Sequence, residues 1–132
     1  MIKLKAPDGS KVSIDGKLVQ RIRRTVSGEN ADAQTRIDWA IMSLVKEPVD
    51  QVVPLVKGEL PSLAVLTALE DRKVWFNAKQ AVGPLPIRPS QEQAGFKSSI
   101  KIMGYRQYVI ETPSDVRAVI RAAGGEPEND AE

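Results

Sequence analysis

The strongest constraint on this chain is a change of periodicity that occurs near each end, where alternating aliphatic and polar residues cross a turn and then give way to a 3.6-residue pattern. Near the start, Ile2, Leu4 and Ala6 alternate with Lys3 and Lys5. Pro7-Asp8-Gly9-Ser10 supplies a turn, and Val12 and Ile14 alternate with Lys11, Ser13 and Asp15. Leu18, Val19 and Ile22 then recur at helical spacing among Lys17, Gln20, Arg21, Arg23 and Arg24, which predicts a short helix with a basic back. Near the end, Ile100 and Ile102 lead into a turn at Gly104-Tyr105, and Tyr108 and Ile110 return. Thr112-Pro113-Ser114-Asp115 follows with a capping hydroxyl, a proline at the first helical position and an acid in the first turn. Val116, Val119, Ile120 and Ala123 form the stripe of that helix, and Gly124-Gly125 ends it.

The middle of the chain suggests weaker versions of the same unit. Lys46-Glu47-Pro48-Val49-Asp50-Gln51-Val52-Val53 parallels Glu111 to Ala118, an apolar strand running into a proline-started helix. Leu63 to Thr67, the polar turn Glu70 to Lys73, and Val74-Trp75-Phe76 read as a further hairpin, followed by Ala78 to Val82. The expectation is an α+β fold of repeated strand-turn-strand-helix (β-β-α) units, at 1–24, 35–57, 63–82 and 98–124, sharing a mainly antiparallel sheet with short helices packed on it. Residues 1–125 form one domain on this reading, and 126–132 an acidic disordered tail. The stretch 31–46 reads equally as a helix capped by Asn30 or as strands with Thr35, Ile37, Trp39 and Ile41 on one face. Gly83 to Ser90 holds three prolines, excluding helix and inner strand, and runs into a linker through Gly95.

Composition narrows the chemistry. Of the 132 residues 42% are apolar and 27% charged, so the chain has the means to bury a core. Cysteine and histidine are both absent, which removes disulfides, thiolate nucleophiles, the commonest general base and the commonest zinc ligands. No phosphate-binding glycine loop occurs. Carboxylates remain, but Asp38, Glu47, Asp50, Glu70, Asp71, Glu111 and Asp115 lack calcium-loop spacing, and several have local explanations as turn or first-turn acids. No catalytic or metal-ligating residue is assigned and no cofactor is expected; a carboxylate-dependent enzyme is the third-ranked alternative. The opening residues lack a signal-peptide core and no run is apolar enough to span a bilayer, so the expected setting is cytoplasmic, without membrane contact.

Charge and exposed groups suggest where contacts form. Lys11, Lys17, Arg21, Arg23 and Arg24 make the beginning basic, while Glu126, Glu128, Asp130 and Glu132 make the end acidic. That basic cluster is the candidate for nucleic-acid or anion contact, its binding directed at the backbone for want of interleaved aromatics. Trp75 and Tyr105, with Pro86 and Arg88 of the proline-rich stretch, are the candidates for partner contact. The first segment, I-K-L then Gly9, V-x-I and L-V-x-x-I, and the last, I-K-I-M-G then Y-V-I-E-T-P-S-D-V-R-A-V-I, together resemble the two parts of small FlbD-type flagellar proteins. The resemblance implies a small bacterial accessory or regulatory protein and no active-site residues. The leading expectation is a non-enzymatic binding or adaptor protein acting through protein partners or self-association as a homo-oligomer; a nucleic-acid-binding regulator is the alternative.

Overall fold

The computed structural model describes residues 1–128. Ten strands and three α-helices occur in the order β1 (Ile2–Lys5), β2 (Lys11–Ile14), β3 (Arg21–Arg24), β4 (Thr35–Asp38), β5 (Met42–Val45), α1 (Val49–Glu59), β6 (Leu63–Thr67), β7 (Lys73–Asn77), β8 (Val82–Leu85), α2 (Pro89–Ala94), β9 (Ser98–Ile102), β10 (Tyr105–Val109) and α3 (Pro113–Ala122). All pairings are antiparallel, so the molecule is an α+β fold with short helices. A five-stranded sheet in the order β5-β4-β3-β7-β6 lies with a β1-β2 hairpin and a three-stranded β10-β9-β8 sheet.

Helix expectations divide by capping chemistry. In α3 the Thr112 hydroxyl accepts the Asp115 N–H at 3.2 Å, Pro113 opens the first turn, Val116 and Ile120 are buried, and the chain leaves through Gly124 at φ +90°. In α1 the stripe Val49, Val52 and Val56 is buried, and Pro54 stands on the exposed side. The helix expected over Leu18 to Arg24 does not form. Asp15 instead caps a single 3₁₀ turn, Gly16–Leu18, after which Val19 is extended and Arg21–Arg24 is a strand. The reason lies in the period: Ile22 is buried between two half-exposed arginines, the alternation of a strand with ladder partners on both sides. Residues 31–46 resolve to strands β4 and β5. The proline-rich stretch holds the edge strand β8, as proline demands, and what was expected to be linker contains α2.

Of the four expected units only 35–57 and 98–124 run strand, strand, helix; the helices expected after the first and third hairpins are absent, and Ala78 to Gln80 is a turn. What recurs is a longer series. β1 to β5 with α1 and β6 to β10 with α3 follow the same order, and their hydrogen bonds correspond. Ala6 N–H donates to Ser10 O (2.8 Å) as Ala68 N–H does to Arg72 O (2.7 Å); Gln34 N–H donates to Val45 O (2.9 Å) as Lys97 N–H does to Val109 O (3.0 Å). Lys46 N–H reaches Lys5 O, and Ile110 N–H reaches Thr67 O, both at 2.8 Å. The Glu47 carboxylate accepts the Lys5 N–H at 3.0 Å and that of Glu111 accepts the Thr67 N–H at 2.9 Å.

Each half closes its own core, Ile14, Ile22, Ile37, Val45, Val52 and Val56 in the first and Phe76, Ile100, Val109, Val116 and Ile120 in the second. β3 joins them, with Ile22 opposite Ile37 on one side and Trp75 on the other. The acidic tail falls partly within view: Glu128 N–H donates to Gly83 O at 2.6 Å, while residues 129–132 lie outside the described residues.

Candidate functional site at the seam between the halves

The face of the central sheet opposite Ile22 changes character across β3. Toward β7, Arg21 stands opposite Phe76 and Arg23 opposite Val74, both buried apolar residues. Toward β4, Arg21 stands opposite Asp38 and Arg23 opposite Arg36, so the apolar core stops and an ionic network begins. Asp38 is almost fully buried; its Oδ2 receives Arg21 Nε at 2.9 Å and its Oδ1 receives Arg36 Nε at 3.1 Å. Arg23 makes a two-pronged pair with Glu29, at 2.9 and 3.0 Å, and Arg36 Nη1 lies 3.5 Å from the same carboxylate. Hydrogen bonds from the Arg23 guanidinium, with a further one from the Val26 N–H, hold the Glu29 carboxyl down at about 2 against the opposing effect of burial. Arg21 Nη1 also donates to Gln107 Oε1 on β10 at 3.1 Å, tying the second half to this network.

Two hairpin turns project beside the charged floor. The β4–β5 hairpin contributes Trp39, Ala40, Ile41 and Met42, and the β9–β10 hairpin contributes Ile102, Met103 and Tyr105; with Arg21, Arg36 and Asp38 they enclose a cleft of about 210 Å³. An adjoining cleft of about 440 Å³ shares Trp39 and Met103 and extends to Gln20, Gln80, Val82 and Lys101. Ile41, Met42, Met103 and Tyr105 are between 49% and 75% exposed, an apolar rim in contact with water. Trp39 is steadied by its Nε1–H, which donates to Ser43 Oγ at 2.9 Å. Met103 and Gly104 form a two-residue hairpin loop with φ +53° and +79°. Such a loop favours asparagine or glycine at its first position, so a methionine there is held at a local cost of about 1 kcal/mol. That cost places a flexible apolar side chain on the rim.

The sequence-derived candidates scatter. Tyr105 stands on the rim, but Trp75 is half-buried opposite Ile22 and lines a separate groove of about 610 Å³ with Arg23, Arg24 and Lys73. Pro86 is exposed, its carbonyl accepting Arg106 Nη1 at 2.9 Å, and Arg88 stands at the start of α2, its N–H donating to Gln91 Oε1. Of the basic cluster, Arg21 and Arg23 are engaged in the ion pairs above; Lys11 is exposed on β2, Lys17 on the 3₁₀ turn and Arg24 at the end of β3. Ile41, Met42 and Met103 were missed. The signal available was apolar side chains in and beside tight turns, where polar residues are usual. Of the candidate carboxylates, Asp50, Glu70 and Asp71 line the 610 Å³ groove and Glu47 and Glu111 accept backbone N–H groups; no cluster of three potential ligands able to hold a metal ion occurs among the described residues. No described helix is long and apolar enough to cross a membrane.

No family model matches the chain, and no curated protein or solved structure matches it.

Proposed function

We propose that the protein is a non-enzymatic binding module that acts through protein contacts at the seam between its halves. The observation that carries this reading is the exposed apolar rim of Ile41, Met42, Met103 and Tyr105 around a part-buried ionic floor. Apolar side chains give a partner area to cover, and Asp38 with its two arginines orients what lands there. Methionine and tyrosine suit such a surface, the first by adapting its shape and the second by adding a polar tip. The test is selection of displayed random peptides on the intact protein, followed by binding to a variant carrying Ile41→Glu and Tyr105→Ala. Selected peptides should lose at least tenfold in affinity for the variant; peptides that bind both proteins equally would overturn the proposal.

Self-association is one form this contact can take, and it adds a second copy as the occupant of the rim. Sedimentation equilibrium at micromolar concentration, with Ile41→Glu beside wild type, distinguishes it: a dimer dissociated by the substitution places the second copy there. The nucleic-acid reading is weaker because phosphate contacts need cations free to meet them, and Arg21 and Arg23 are held by Asp38 and Glu29. A small accessory role in a bacterial cytoplasm, as the resemblance to FlbD-type proteins implies, belongs to the same proposal. In its support, the strand-turn-strand entry and hairpin-helix exit that carry the resemblance each occur in both halves.

A further inference from the structure

We infer that the seam prefers a peptide segment in which a carboxylate stands beside a large apolar side chain, a preference that rests on the contact reading above. The network contains three guanidinium groups, Arg21, Arg23 and Arg36, and two carboxylates, Glu29 and Asp38. Both oxygens of Asp38 are occupied, one by each arginine, and Glu29 is engaged by both prongs of Arg23. One positive charge is therefore left over, and geometry locates it: the 3.5 Å approach of Arg36 to Glu29 is the longest in the network, and Arg36 lines the cleft. Lys101 adds a further cation on the adjoining cleft. Asp38, the one acid of the 210 Å³ cleft, is already shared by two arginines.

An apolar side chain that settles on Ile41, Met42, Met103 and Tyr105 excludes water from this floor, which strengthens every charge interaction beneath it. A neutral or basic neighbour would leave the surplus guanidinium charge desolvated and uncompensated, at a cost. A carboxylate on the incoming segment supplies the missing charge and meets the guanidinium edge of Arg36 that Asp38 leaves open. The acid thus selects the partner, while the apolar contact gives most of the area.

The experiment is a two-dimensional ¹⁵N–¹H titration of the full chain with three capped synthetic peptides, GDLFG, GNLFG and GKLFG, at low and moderate salt. The expected result is shifts at Arg36, Ile41, Met42, Met103 and Tyr105, with the acidic peptide binding about tenfold more tightly than the lysine peptide and the gap narrowing as salt rises. Arg36→Gln should reduce the acid preference to under about twofold, and Arg36→Lys should retain most of it; the spectra report whether either variant is folded. Equal binding of all three peptides at the seam overturns the acid preference while leaving the contact reading intact. Shifts confined to another surface, or no binding by any peptide, overturn both.

Discussion

Glu29 offers a direct measure of how much the ionic network holds. Its carboxylate pins the loop between β3 and β4 by accepting both prongs of Arg23 and the Val26 N–H at 2.7 Å. Because its folded pKa is about 2 against an ordinary 4.5, the unfolded chain binds the extra proton between those values. The stabilisation is therefore complete above about pH 5 and is lost as pH falls through 4.5 toward 2. A shift of that size corresponds to about 3 kcal/mol as an upper limit. The Glu29 side chain keeps 17% exposure, and screening brings the realistic figure to about 1–2 kcal/mol. Glu29→Gln keeps the shape and an acceptor for Val26 but removes the charge. Urea denaturation of both proteins between pH 7 and pH 2.5 should show a gap of about 1–2 kcal/mol above pH 5 that closes on acidification. A gap that stays constant down to pH 2.5 would refute the assignment of this stability to the Arg23–Glu29 pair.

Met103→Asn should raise stability by about 0.5–1 kcal/mol, since asparagine tolerates the positive φ, and should weaken any ligand of the rim; thermal melts paired with a binding assay check the two together, and an unchanged melting midpoint would argue against strain at the loop. Gly58→Ala, at an exposed position of α1, should stabilise by about 0.5–1 kcal/mol, because an added Cβ meets nothing within 4 Å and lowers the entropy of the unfolded chain. Gly125→Ala should lower stability by more than about 2 kcal/mol, because its Cβ would collide with the Ala78 carbonyl and the Ile120 side chain; equal effects of the two alanines in denaturant titrations would contradict the close packing at the end of α3.

Local chemistry made parts of this fold legible. Thr112, Pro113 and Asp115 specify the start of α3 by capping alone, and alternation placed β1 with β2 and β6 with β7 because one face of each is buried. Ile22 was misread because Leu18, Val19 and Ile22 fit a helical period, whereas the deciding interaction, pairing with Trp75 far along the chain, leaves no local trace. The same holds at the seam. Arg21 and Arg23 stood out as a basic cluster, but their neutralisation by Asp38 and Glu29 depends on strand register and on the loop that brings Glu29 back. Tyr105 was singled out as a candidate for partner contact; Ile41 and Met103 gained significance only when two distant hairpin turns were brought side by side.

Among the described residues one ladder joins the halves, and the correspondence between them bears on why. β3 of the first half pairs with β7 through the Ile22–Trp75 position, and the strand that occupies the place of β3 in the second half is β8. That strand carries Pro84, which has no N–H to donate, at an irregularity of its ladder with β9, and Gly83 O is engaged by Glu128 N–H. On the other flank β2 presents Ser13 and Lys11 where β7 presents Trp75 and Lys73; the aromatic that covers the first core has no counterpart to cover a third. A proline on one outer strand, and a serine with a lysine on the other, blunt both edges against continued pairing. The apolar rim sits beside the β3–β7 joint because that is where the β4–β5 and β9–β10 hairpins come together over a polar floor of Arg21, Arg36 and Asp38.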